Sequence, residues 1–223
     1  MGKADSVFEV IGPIMIGPSS SHTAAAVRIG KITRELVGEP IKKAKILLHG
    51  SFGSTGIGHG TDKAIVAGLM GFDPDDERIR DAKSLAKKKG MNFNFDKVDL
   101  GDEYHPNTTR IEVQGVNKTS FTVTASSLGG GNIAVNEING LKLQLSGEYN
   151  TLVTIHKDER GVVANVTSII AEYDVNISSM NVSRTKRGGQ AIMAVEMDQA
   201  LPEEAIEELE SVVSVARFIP PIY

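Results

Sequence analysis

Five consecutive polar side chains, Ser19-Ser20-Ser21-His22-Thr23, directly follow Gly17-Pro18. Four hydroxyls and an imidazole in that position suit two tasks: the hydroxyls can hold an anion, and the imidazole can move a proton near neutral pH. The residues that follow strengthen the first. Ala25, Ile29, Ile32 and Leu36 recur at i, i+4, i+7 and i+11, which predicts a helix with one apolar stripe, closed by Gly38. The serines therefore stand at a helix N-terminus, where unpaired backbone N–H groups and the positive end of the dipole favour carboxylate or phosphate. One serine is enough to cap a helix. Three of them beside His and Thr exceed that need and read as a ligand site. Pro18 disfavours α geometry at Gly17, so the apolar run from Val7 to Ile16 is predicted as a strand ending in this polar turn.

A second chemistry-bearing stretch runs from His49 to Gly60, with five glycines, two histidines and three hydroxyls. It lies between a short apolar strand, Lys45 to Leu48, and a helical pattern carrying Ala64, Ile65, Leu69 and Met70. The stretch reads as a loop, with Thr61 or Asp62 capping the helix and Gly71 closing it. A P-loop would need a Lys-Ser/Thr pair where Asp62-Lys63-Ala64 stands, and the dinucleotide fingerprint is absent, so nucleotide binding is set aside. The glycines instead let backbone approach a small ligand or a partner closely. A zinc site on His49, His59 and Asp62 lacks compact ligand spacing.

The elements that position these groups can be followed along the chain. A helix is predicted after Pro74, ending in the solvated lysines of Lys83 to Lys89. Alternation predicts strands at Met91 to Phe95, Ile111 to Val113 and Phe121 to Ala125. A polar turn, Tyr104 to Thr109, separates the first two, and Ser126 to Asn132 with its glycine triplet follows the third. Asn139-Gly140 between apolar alternations predicts a two-residue hairpin. From Glu148 the order becomes strand, helix, strand, strand, helix, strand, the split-βαβ arrangement. Its open sheet edge predicts pairing with a second copy.

Composition narrows the class. At 223 residues and 40% hydrophobic, the chain can fill two modest domains. Residues up to 147 carry 18 Lys and Arg against 16 Asp and Glu, and the remainder 6 against 12, which suggests two units at 1–147 and 148–223. Neither has the basic footprint of a nucleic-acid binder. No stretch suits a membrane span or a signal peptide, so a cytoplasmic protein is expected. The absence of cysteine rules out a thiol nucleophile, a disulfide or an iron-sulfur cluster held by this chain.

Four blocks now form one pattern: GPSSSHT at 17–23, HGSFGSTGIGHGTDKA at 49–64, HPN at 105–107 and SSLGGGN at 126–132. Together they resemble the β-subunit of bacterial iron-sulfur-dependent L-serine dehydratase. Residues 150–222 resemble an ACT domain, through His156 to Val162 and Asp174 to Ile177. The fold class implied is α+β: a mixed α/β, allosteric-substrate-binding-like domain followed by a βαββαβ ferredoxin-like ACT domain.

The resemblance implies a lyase subunit that is inactive alone. Its α-subunit partner would ligate a 4Fe-4S cluster, an open iron of which acts as Lewis acid on L-serine, and the products are pyruvate and ammonia. On this chain His22 and His59 are the expected proton-transfer or electrostatic groups, with His49 shaping the pocket wall. Ser19, Ser20, Ser21, Thr23, Ser51, Thr55 and Asn107 are the expected substrate contacts. His105 is read as a turn residue, and no metal is expected on this chain. In the ACT domain the matching regulatory-ligand positions are His156, Asp158 and Asn176, although Asp158 stands where an amide is frequent. A different class of function is also open: a regulatory subunit that senses small amino acids without chemistry, since the first domain also resembles the anion-binding domain of some phosphoglycerate dehydrogenases.

Overall fold

The apolar stripe from Ala25 to Leu36 lies on a helix, α1 (Ala25–Val37), and all four stripe residues are fully buried. Gly38 ends it in the left-handed region at φ 71°, with its N–H donating to Arg34 O. The computed structural model describes residues 13–222. The predicted strand from Val7 to Ile16 therefore lies mostly outside the described residues, and residues 13–16 form no strand. The Ile16 N–H donates instead to Pro74 O at 2.8 Å.

The first unit, which ends at Val135, is built on β1 (Ile41–His49), β2 (Asn92–Val98), β3 (Thr108–Gly115), β4 (Ser120–Gly129) and β5 (Asn132–Ile138), in the order β2-β1-β3-β4-β5. β1 pairs with β2 in parallel and with β3 antiparallel. Ile46, Ile111 and Val123 stand in register across β1, β3 and β4, all fully buried. Side chains opposite one another share a sheet face, and α1 packs on β3 and β4. Burial of each such branched side chain stabilises by about 1.5–3 kcal/mol.

The glycine-rich stretch after β1 is a helix, not a loop: α2 (Gly50–His59). Low helix propensity predicted otherwise, but here the missing side chains permit contact. A Cβ on Gly53 would stand 2.8 Å from Leu48 O, and one on Gly50 2.6 Å from Pro106 O. Phe52, fully buried, anchors the helix between them. Gly60, at φ 76°, then turns the chain into α3 (Thr61–Leu69). Neither Thr61 nor Asp62 is the cap residue that the sequence suggested. The Thr61 hydroxyl donates to His22 O at 3.0 Å, and Asp62 pairs with Lys83. α1 and α3 cross at Gly30 and Gly68, where a Cβ on either would lie within 3 Å of the other's Cα. After Pro74 the predicted helix is a 3₁₀ turn (Glu77–Asp81) followed by α4 (Ala82–Lys88).

Asn139 at φ 52° and Gly140 at φ 75° make the predicted hairpin into β6 (Leu141–Leu145); two positive φ angles are what a type I′ turn requires. The second unit, from Asn136 onward, continues with β7 (Asn150–Lys157), α5 (Val162–Glu172), β8 (Ile177–Arg184), β9 (Gln190–Met197), α6 (Glu203–Val212) and β10 (Val215–Ile219). This is the βαββαβ order, with the sheet arranged β10-β7-β9-β8. Leu152, Met193 and Val195 pack with Val166 and Ile170 of α5 and Leu209 of α6. The chain is thus α+β, as its patterning predicts.

Candidate functional site

The serine cluster does what its position dictates. Ser19 is extended at φ −147° and its hydroxyl accepts from the His22 N–H at 3.2 Å, so Ser19 is the cap. The chain then enters a π-helical turn, Ser20–Ala24, that leads into α1. Ser20 and Ser21 are half-buried. Thr23 is buried, and its hydroxyl donates to His59 O at 3.4 Å. Gly17 approaches Thr23 so closely that any Cβ there would meet it at 2.5 Å.

This turn meets α2, and the meeting brings together side chains far apart in sequence. Nε2 of His22 lies 3.3 Å from both Ser51 Oγ and Thr55 Oγ1, and those two hydroxyls are 3.3 Å from each other. Thr55 also donates to Ser51 O at 2.9 Å. With its single proton used there, Thr55 can only accept from the His22 ring, whereas the Ser51 hydroxyl can either accept from Nε2 or donate to it. One helical turn on, Nδ1 of His59 lies 3.1 Å from Thr55 O. A carbonyl oxygen only accepts, so Nδ1 of His59 carries a proton, and it is Nε2 that holds the lone pair whenever the ring is neutral. The two rings are 4.9 Å apart between centroids, and Phe52 stands edge-on to His22 at 5.3 Å. Burial, and then repulsion from His59, hold the His22 imidazole below its usual range. That favours the neutral ring, which is the form able to accept a proton.

The remaining expected residues divide. His49 is tied away from this pair: its Nδ1 accepts from the Leu100 N–H at 3.1 Å, with Asp99 at 3.8 Å. Asn107 sits in the 104–109 turn that Pro106 fastens to α2 through the Ser51 N–H, 2.8 Å from Pro106 O. His105 accepts the Asn107 N–H at 3.1 Å, a turn role. In the second unit, His156 is buried at the end of β7, 3.3 Å from the Thr154 hydroxyl. The Asp158 carboxylate already accepts from Arg184 Nη1 at 2.7 Å and Gly188 N at 2.9 Å, and these bonds hold it below the usual carboxylate range. Asn176 donates to Asp198 at 2.7 Å, at the opposite end of the sheet from His156.

Residues 6–138 match the family model for the serine dehydratase beta chain, and residues 150–214 match the ACT domain. The chain is 40% identical over 213 residues to a probable L-serine dehydratase beta chain of Bacillus subtilis, with 96% of each chain covered. The L-serine dehydratase beta chain of Peptoniphilus asaccharolyticus is 40% identical over 218 residues, covering 98% of this chain and 97% of that one. The chain belongs to the serine dehydratase beta chain family. Its similarity extends further: a D-3-phosphoglycerate dehydrogenase of Bacillus subtilis is 28% identical over 188 residues, which is 84% of this beta chain and 35% of that enzyme.

Two contributors to this beta chain's histidine pair were not singled out from sequence. Phe52 lay inside a glycine-rich run that read as loop, and Thr61 read as a cap. Recognising α2 as a helix would have shown that Ser51, Thr55 and His59, spaced by four, share one face of it. As for metal, the beta chain has no cysteine, and the described residues contain no group of three or more His, Asp or Glu able to hold an ion. These donors do not fit an iron-sulfur cluster. Among the described residues, no helix is long and apolar enough to cross a membrane.

The lowered His22 value has a stability consequence. The unfolded chain takes up this proton at higher pH than the native chain, so the contribution is complete above the ordinary imidazole range and is lost as pH falls through it. His156, lowered by burial against the opposing pull of Asp158, acts in the same direction. The melting temperature is therefore expected to drop between about pH 7.5 and about pH 5.5, and His22→Gln to make that drop shallower. Circular dichroism melts of both proteins across the range check this; parallel curves would contradict it.

Proposed function

We propose that this chain is the beta subunit of a cytoplasmic L-serine dehydratase, and that with an alpha subunit it completes a site converting L-serine to pyruvate and ammonia. The observation that carries the reading is the His22, Ser51 and Thr55 cluster with His59 beside it, at the cap of a long helix. Residues 1–147 serve this site, and residues 148–223 form the ACT domain. The substrate carboxylate docks at the Ser19, Ser20, Ser21 and Thr23 turn, where hydroxyls and the N-terminal end of a helix suit an anion. Ser51, Thr55 and Asn107 complete the substrate contacts, and His49 shapes the wall through the turn it holds.

The reaction requires loss of a Cα proton and of the Cβ hydroxide. Aminoacrylate forms, tautomerises to the imine and is hydrolysed, so the water lost is regained. His59 Nε2, oriented by the Nδ1 bond to Thr55, accepts or relays the proton, and the His22 ring beside it supports it electrostatically. The 4Fe-4S cluster belongs to the alpha subunit in this reading, and this chain supplies binding and proton transfer. The test is anaerobic co-expression with an alpha subunit, with pyruvate formation from L-serine measured for the mixture and for each chain alone. Activity in the mixture only is expected. A cluster-loaded mixture that makes no pyruvate, while this chain alone binds L-serine, would leave the second reading, a non-catalytic sensor, which the likeness to D-3-phosphoglycerate dehydrogenase favours.

The ACT domain is proposed to pair with a second copy along β8. This strand is an edge of its sheet. Met180 and Val182 lie opposite Val195 and Met193 of the core face yet remain 44% and 45% exposed. Antiparallel β8 pairing would cover them, and would carry Asn176 of one copy toward His156 and Asp158 of the other, the regulatory-ligand set. Val182→Lys is expected to halve the mass of the purified chain in light scattering; an unchanged mass would count against this edge.

A further inference from the structure

The family assignment leaves one buried anomaly unexplained. Asn107 Oδ1 and Ser127 Oγ are both buried and have no hydrogen-bond partner. Ser127 is fully inaccessible, whereas Asn107 is half-buried. A buried polar atom without a partner is costly, and native proteins hold few of them. Here two stand side by side. Thr108 pairs with Ser126 between β3 and β4, and the next step of the ladder is the Ser127 N–H donating to Asn107 O at 2.9 Å. Residues opposite each other in an antiparallel pair point to the same face, with Cβ atoms roughly 4.5–5.5 Å apart.

Their place is informative. They continue the sheet face of Thr109, Ala125, Ile111 and Val123 beyond its apolar part, and β4 also contacts the Ser20–Ala24 turn. The 104–109 turn that carries Asn107 is fastened to α2 by the bond from the Ser51 N–H to Pro106 O. One atom is an acceptor and the other a hydroxyl that can donate. Ser127 is fully inaccessible, so its hydroxyl can act on a ligand only through a neighbour, and Asn107 stands opposite it.

We infer that Ser127 is a positioning residue: its hydroxyl donates to Asn107 Oδ1 when ligand is bound, which fixes the amide so that the Asn107 NH₂ donates to the carboxylate of the amino-acid substrate. This rests on the proposed function and deepens it, since the carboxylate is then read by the sheet end as well as by the serine turn. Ser127 acts only through Asn107, so the two substitutions cannot add.

The experiment uses the assembled alpha and beta subunits with L-serine. Ser127→Ala is expected to raise KM about fivefold, the size of one hydrogen bond, with kcat within about twofold. Ser127→Thr, which keeps the hydroxyl, should restore KM. Asn107→Ala should raise KM about as much or more, and the double variant should match Asn107→Ala alone. Additive effects, or a Ser127→Ala enzyme with unchanged KM, would overturn the inference. A change in melting temperature without a change in KM would do so too, because it marks a purely structural hydroxyl. If the wild-type assembly makes no pyruvate, the function itself fails. In that case, L-serine binding to the wild-type chain and to Ser127→Ala, measured by calorimetry, decides the positioning role: about fivefold weaker binding supports it and equal binding overturns it.

Discussion

Turnover of L-serine by the paired subunits is expected to fall about 10²-fold or more when His59 becomes Asn, the range of a lost proton-transfer group. The substitution is chosen for what it keeps. An asparagine amide can still donate to Thr55 O from nearly the place of the His59 Nδ1, now 3.1 Å from that oxygen, so the end of α2 stays tethered. Only the outer nitrogen is removed. Loss of that atom should lower kcat with little change in KM, because the proposed carboxylate contacts lie on the serine turn and at Asn107, not on His59. It should also release His22 from the repulsion that helps to lower its pKa, moving the acid limb of any remaining activity upward in pH. Steady-state rates against pH, with iron content measured in the same samples, check both parts. Wild-type turnover in a cluster-loaded variant would remove His59 from the mechanism.

The second large effect is expected far from any ligand. Gly68→Ala would place a methyl 2.0 Å from Val27 O and 2.8 Å from the Cα of Gly30. Both are backbone atoms of α1 that cannot swing aside, so α1 and α3 must separate. Overpacking of this kind costs about 1–3 kcal/mol or more. The helices concerned follow His22 and His59 respectively, so their separation also moves the two rings apart. A drop in melting temperature of several degrees with a disproportionate loss of kcat is expected, from paired thermal and kinetic measurements. Full activity in a folded variant would show that the histidine spacing is set elsewhere.

Much of this architecture was legible because periodicity and turn chemistry agree in it. The α1 stripe, the strands at Ile111 and Phe121, the Asn139-Gly140 turn and the βαββαβ order all follow from local pattern. The α2 segment did not, since five glycines between 49 and 60 argue for loop on propensity while the close approaches of Gly50 and Gly53 depend on the chain around them. The same tertiary origin hid the roles of Phe52, Thr61 and Ser127. His22 and His59 stood out by type and position, but their proximity to one another, each within reach of Thr55, is something no spacing rule contains. His49 looked equivalent to them in sequence and is held by the backbone of Leu100 instead.

Gly53, Gly56 and Gly58 each cost α2 about 1 kcal/mol of helix stability relative to alanine. Ser51, Thr55 and His59 are thus mounted on a segment that is metastable by itself and ordered by what presses on it. Such an element opens by local unfolding well below the free energy of global denaturation. Its amides should exchange with solvent while those of α1 stay protected, and under the proposed function the wall carrying His59 would be the part of this subunit best able to yield as a substrate enters or a product leaves.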